Sequence, residues 1–256
     1  MNLKKELLDI KILPTRDEMG KVAAEDIANC IKSILTKKEE VNIIFAAAPS
    51  QNDVLHYLCE SDVDWTRVNA FHMDEYIGLP SDAPQCFSNF LKNAIFDKLP
   101  FKSINYIDSS AKDIDTECNR YSGLLAEKPT DIVIMGIGEN GHIAFNDPHV
   151  ADFNDAKAVK PVELDDMCRM QQVNDGCFKK FEDVPKYALT LTIPTLMSAK
   201  YHFCIVPAKT KADAVKRTLY GNVSEECPAT ILRTKENSVL YCDADSSVYV
   251  KPEDFV

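Results

Sequence analysis

Asp131-Ile-Val-Ile-Met-Gly-Ile-Gly-Glu-Asn-Gly-His142-Ile-Ala-Phe-Asn146-Asp147-Pro148 is the stretch around which the chain is organised. Its first residues form a short continuous apolar run, the pattern of a strand buried on both faces. Gly136, Gly138 and Gly141 follow, where the backbone must turn tightly or let a ligand come close. His142, Asn146 and Asp147 then crowd just beyond the strand's carboxyl end, which is where ligands sit in open α/β sheets.

Working outward, the same alternation repeats. Ile10–Leu13, Val41–Ala47, Val68–His72, Ile104–Ile107, Tyr187–Leu191, Tyr201–Val206 and Ser238–Cys242 read as strands. Between them lie helical spacings. Met19, Val22, Ala23, Ile27, Cys30, Ile31 and Ile34 make one buried stripe over residues 16–38, and residues 53–59, 86–96, 113–125 and 209–219 carry further helices. Strand–helix alternation predicts an α/β fold: a mostly parallel, doubly wound sheet with helices on both faces, Rossmann-like, in one domain over residues 1–256. Residues 149–183 read as irregular and polar with weak strand and helix signals, a candidate lid or plain surface structure.

The chain has 256 residues, enough for a substantial core, and a net charge of −11. That charge argues against nucleic-acid or anionic-membrane partners but leaves room for a local cationic pocket. No run of about 20 apolar residues is present and the amino terminus lacks a signal-peptide core, so a cytoplasmic protein is expected. The nine cysteines form no CxxC pair and read as reduced, mostly buried thiols.

Gly136-x-Gly138-x-x-Gly141 matches the dinucleotide fingerprint literally, yet it lies mid-chain and the acids at the expected spacing, Asp152 and Asp155, follow no strand. We expect no cofactor. His142 and Asp147 with His149, or His72 with Asp74, lack a compact metal-ligand spacing, and no metal site is expected. Asp74 and Glu75 leave the strand ending at His72; they suit either a helix N-cap or a site. Asp74 from one strand end, with His142 and Asp147 from another, is a minimum set for moving protons on a small molecule. Ser50, in Ala48-Pro49-Ser50, and Lys211, in Lys209-Thr210-Lys211, each open a helix after a strand, a place suited to an anion.

Phe71-His-Met-Asp-Glu-Tyr-Ile-Gly-Leu-Pro80 and Met135-Gly-Ile-Gly-Glu-Asn-Gly-His-Ile-Ala-Phe-Asn-Asp-Pro148 together resemble the two signatures of the glucosamine-6-phosphate deaminase (isomerase) family. Val184–Thr192 and the segment from Lys211 to Gly221 resemble its later blocks, in the right order along nearly the whole chain. The resemblance implies conversion of glucosamine 6-phosphate to fructose 6-phosphate and ammonia, without a cofactor. It implies that Asp74 is the base carrying the C2 proton to C1, that His142 opens the sugar ring, that Asp147 orients His142, that Ser50 and Lys211 hold phosphate and that Gly136 lines the sugar site. Glu75 joins these as a substrate-binding candidate.

Three departures stand out. Asn140 replaces the usual aspartate, Asp147 replaces a longer glutamate, and Ala48-Pro49-Ser50 replaces a Gly-Gly-Thr phosphate loop. Arg169 is the nearest counterpart of a phosphate-binding arginine. If ring opening limits the reaction, restoring charge with Asn140→Asp is expected to raise turnover. Alternatives are a galactosamine 6-phosphate enzyme, a sugar-phosphate lactone hydrolase, and a sugar-phosphate-binding protein without activity. The assembly is left open, a homo-oligomer included.

Overall fold

A computed structural model describes residues 1–108 and 110–255. In chain order it runs β1 (Asn2–Lys5), β2 (Leu8–Ile12), α1 (Arg16–Leu35), β3 (Val41–Phe45), α2 (Asn52–Cys59), β4 (Val68–His72), β5 (Asp74–Tyr76), α3 (Phe87–Leu91), β6 (Ser103–Asn105), α4 (Ile114–Glu127), β7 (Ile132–Met135), β8 (Val159–Glu163), α5 (Asp166–Asn174), β9 (Tyr187–Leu191), α6 (Ile193–Met197), β10 (Tyr201–Val206), α7 (Ala212–Tyr220) and β11 (Ser238–Cys242). Eight strands form one sheet in the order β1-β2-β11-β10-β7-β3-β4-β6. All its pairs are parallel except β1 with β2. The quoted apolar run is β7, in the middle, and every residue of β3, β4 and β7 is buried. Such uniform burial requires cover on both faces. Alternation along β3 supplies it: Ile43 and Phe45 pack with the core of α1 and α2, Ile44 with that of α4 and α7.

Local chemistry fixes the helix starts. Thr15, Asp113 and Asp165 each cap a helix by accepting a backbone N–H three residues on. The fold class is therefore the expected one.

Several elements differ from the sequence reading. The chain opens with a hairpin, β1 on β2, that the charged Asn2–Lys5 segment conceals. Asp74–Tyr76 is a strand, and Tyr187–Leu191 does not extend the large sheet. Both belong to a separate antiparallel sheet in the order β5-β9-β8. Residues 149–183, read as irregular, contain β8 and α5. None of the nine cysteines is joined in a disulfide. No helix among the described residues is long and apolar enough to cross a membrane.

Candidate active site

The cleft lies at the carboxyl ends of β3, β4, β7 and β10. It encloses ≈ 480 Å³, its open mouth included, and Ser50, Asp74, Gly136, Gly138, His142 and Lys211 all line it. Neighbouring strands whose chains leave in opposite directions create this crevice: from β3 the chain moves to β4 and β6, from β7 to β10 and β11.

The small sheet is what brings two strand ends together. Asp74 sits opposite Thr190 in the β5–β9 ladder. Thr190 Oγ1 accepts the Phe145 N–H at 3.1 Å, and Asn146 Nδ2 donates to Leu191 O at 2.8 Å. One strand thus fixes both Asp74 and the loop carrying His142. Within that loop Ala144 holds φ +48, a conformation L-residues avoid and tertiary anchoring must maintain. Gly138 is dictated by the imidazole, since an added Cβ would stand 2.2–2.4 Å from His142 ring atoms. Gly141 takes φ +87, and a Cβ there would meet Cys227 Sγ at 2.4 Å.

Electrostatics separates the two acids. Asp74 is buried, and its carboxylate takes no hydrogen bond or ion pair among the described residues. Burial, aided by the neighbouring Glu75 charge, holds it well above the usual carboxylate range. Asp147 is fully buried yet lies below that range. Burial alone would raise it, but His142, with hydrogen bonds from Asn140 and the Asp165 N–H, outweighs burial. His142 Nδ1 is 2.8 Å from Asp147 Oδ1, close but bent away from the ideal hydrogen-bond line. One acid is set to exchange a proton and the other to stay charged beside the imidazole.

At the opposite end stands Lys211, buried and without an ion-pair partner among the described residues. Burial lowers its pKa, with Asp175 and Glu139 opposing. The turn that presents it passes through Ala208 at φ +79, whose N–H is held by both carboxylate oxygens of Asp243 at 3.2 and 3.0 Å. Ser50 Oγ accepts from Gln51 Nε2 at 3.1 Å.

Three candidates lie elsewhere. Glu75 faces away from the cleft because successive strand residues point to opposite sides. Its carboxylate accepts the N–H groups of Tyr76, Phe87 and Ser88 at 3.0, 3.0 and 2.8 Å, capping α3. Arg169 does not reach the cleft. It donates to Phe181 O and Val184 O at 3.0 Å each and lies 3.9 Å from the Phe181 ring centroid, tying α5 to the following turn. Asn140 stands behind the imidazole. Its Nδ2 donates to Asp147 Oδ1 at 2.9 Å and to Asp165 Oδ2 at 3.3 Å, while its Oδ1 accepts the His142 N–H at 3.0 Å. Residues the sequence reading passed over are Thr190 and Asp165, and the cleft-lining Gln51, Gln171 and Gln172. Thr190 lies in a strand whose pairing was not foreseen, and Gln171 and Gln172 in an unrecognised helix, so their polarity gave no signal of their place at the site.

His142, Asp147 and Cys168 have ligand atoms within 4.8 Å of one another, as do Asp147, His149 and Asp165. In the first set the groups already face each other, the His142 ring nitrogen lying 2.8 Å from the Asp147 carboxylate and the Cys168 thiol bonding to it. His72 Nε2 accepts the Ile107 N–H at 2.8 Å, and burial lowers its pKa to about 3, so it is a neutral structural histidine. Residues 136–158 hold no helix, which leaves the glycine fingerprint without the helix N-terminus a dinucleotide pyrophosphate needs.

A family model described as glucosamine-6-phosphate isomerases/6-phosphogluconolactonase matches residues 14–241. A glucosamine-6-phosphate deaminase of Bacillus cereus (strain G9842) is 36% identical over 239 residues, spanning 93% of this chain and 88% of the relative. That of Bacillus cytotoxicus is 34% identical over the same shares. The solved structure of a monomeric glucosamine-6-phosphate deaminase matches with a TM-score of 0.85 at 28% identity, covering 93% of this chain and 98% of its own. A 6-phosphogluconolactonase from Thermotoga maritima matches with a TM-score of 0.75 at 20% identity, covering 91% and 98%, and shares the fold.

Proposed function

The chain belongs to the glucosamine-6-phosphate isomerase/6-phosphogluconolactonase family, and from that membership we propose that it is a deaminase converting glucosamine 6-phosphate to fructose 6-phosphate and ammonia. The observation that carries this reading is a single cleft lined by Asp74, His142 and Lys211. Lys211 and Ser50 hold the phosphate, which fixes the sugar's direction. His142 moves a proton at the ring oxygen to open the ring, with the Asp147 carboxylate stabilising the imidazolium that forms. Asp74 takes the C2 proton of the open sugar, leaving a C1–C2 enolamine; its return to C1 gives an imine at C2, which water hydrolyses to the ketone of fructose 6-phosphate with release of ammonia. A carboxyl whose burial raises its affinity for protons is a stronger base than an exposed one once ionised. Asn140 and Glu75 serve as positioning groups.

Hydrolysis of a sugar-phosphate lactone is the second reading, favoured by the shared fold of the lactonases. It offers no C2 proton for Asp74 to remove. Incubation with glucosamine 6-phosphate, galactosamine 6-phosphate and 6-phosphogluconolactone in turn, with ammonia and acid release followed separately, decides among them. Ammonia from the first substrate at the highest kcat/KM is the expected result. Acid release from the lactone without ammonia from either amino sugar would overturn the proposal.

A further inference from the structure

The cleft is short of positive charge for a phosphorylated ligand. Lys211 is the only lysine or arginine among its described lining residues, and Glu139 and Asp175 both act on it. A phosphate monoester carries about −1.5 to −2 at pH 7. Neutral donors must make up the difference.

Helix α5 supplies them by turning its polar side inward. Gln171 and Gln172 are each 6% exposed, whereas Met167 and Met170 on the same helix are 56% and 44% exposed. An apolar-out, polar-in helix runs against the ordinary burial pattern and calls for a polar occupant beside it. The amide of Gln171 is engaged: its Oε1 accepts the Glu139 N–H at 2.9 Å and its Nε2 reaches Asp175 Oδ2 at 3.4 Å. The amide of Gln172 makes no hydrogen bond among the described residues, although it lines the cleft. Its polar atoms are not sealed from the cleft, so the two Nε2 donors stand available to a bound ligand group. The helix is also anchored at its start, where the Asp165 side chain accepts the Cys168 N–H at 2.6 Å and meets Asn140 Nδ2.

We propose that Gln172 is a substrate ligand that sets the preference for a phosphorylated sugar, its Nε2 donating to a phosphate oxygen that Lys211 also holds. The proposal rests on the sugar-phosphate reading above and names a residue of that same site. The Asp175 and Gln171 contacts place this turn of α5 at the Lys211 end of the cleft, where the phosphate lies.

The test uses the full chain as wild type, Gln172→Ala and Gln172→Glu. Binding of inorganic phosphate and of fructose 6-phosphate is read by titration calorimetry, and KM and kcat for glucosamine 6-phosphate by ammonia release. Gln172→Ala should raise KM and both Kd values about tenfold, the worth of one hydrogen bond to a charged group, with kcat within about threefold. Gln172→Glu, of the same shape but able to carry charge against the phosphate, should raise them about 100-fold at pH 8. A merely structural role would lower Tm and kcat and leave KM and Kd alone, and that pattern overturns the proposal. So do Kd values for Gln172→Glu within twofold of wild type, or wild-type protein that binds neither compound. Wild-type protein that binds fructose 6-phosphate but releases no ammonia would sink the deaminase reading, while the titrations would still decide the role of Gln172.

Discussion

Asn140→Asp is the substitution whose sign the structure reverses. From sequence, restoring a charge beside His142 promises faster ring opening. In the fold the replaced group is an amide nitrogen, 2.9 Å from Asp147 Oδ1 and 3.3 Å from Asp165 Oδ2, so the new carboxylate would face two others. Like charges about 4 Å apart at an effective dielectric of about 20 repel by ~4 kcal/mol per pair. The cluster avoids this by retaining a proton on one of the three acids, so pH decides the outcome. When the new carboxyl is protonated it still donates to Asp147. When it ionises, Asp147 loses a donor and gains a repulsion. Loss of a hydrogen bond to a charged group, about 1.5–3 kcal/mol, corresponds to a fall of about 10- to 150-fold in kcat/KM. A pH profile of ammonia release should therefore show a loss of about 100-fold at pH 8, shrinking below tenfold at pH 6. Adding Asp165→Asn should restore most of the activity at pH 8, because asparagine caps a helix as well as aspartate does. Full or raised activity of Asn140→Asp at pH 8 would refute the reasoning.

Gly138→Ala should cut kcat by about 100-fold with little change in Tm, because the new methyl displaces the imidazole and a shift of about 1 Å is enough; a kcat near wild type would show that His142 need not sit there. Glu75→Ala should lower stability to urea by about 3 kcal/mol by stranding the N–H groups that Glu75 now receives, with kcat and KM within about threefold. A change in KM without loss of stability would return Glu75 to the substrate. Asp74 must be ionised to take a proton, and its pKa is raised, so kcat/KM should fall as pH drops through a value well above the ordinary ~4. The same burial cost, present once pH exceeds the unfolded-state pKa, should make Asp74→Asn melt higher than wild type at pH 7. An acid limb at pH 4 or lower would contradict that assignment.

The large sheet was legible because its strands are uniformly apolar and regularly spaced, as Val41–Phe45 and Ile132–Met135 show. The two strand ends that carry Asp74 and His142 were legible for the same reason. What joins them was not. Asp74–Tyr76 is only three residues long and follows β4 after one residue, so its apolar pattern merges with that strand. Whether Asp74 or Glu75 faces the cleft depends on the pairing of β5 with β9, a long-range contact. Helix α5 misled through its inversion: charge drew attention to Arg169, which the fold spends on two carbonyls, while its neutral neighbour Gln172 lines the cleft. The family resemblance carried the pattern of function, but Asn140 is intelligible only with Asp165 in view, a residue 25 positions away.

The central claim is that Asp74 moves the C2 proton of a sugar phosphate opened by His142. It is tested most directly with glucosamine 6-phosphate deuterated at C2, comparing wild type with Asp74→Asn. The account predicts a slower wild-type reaction on the labelled sugar, part of the deuterium appearing at C1 of fructose 6-phosphate, and at least a ~1,000-fold loss in Asp74→Asn. Turnover of Asp74→Asn within tenfold of wild type, or deuterium still at C1 of product made by that variant at such a rate, would contradict it.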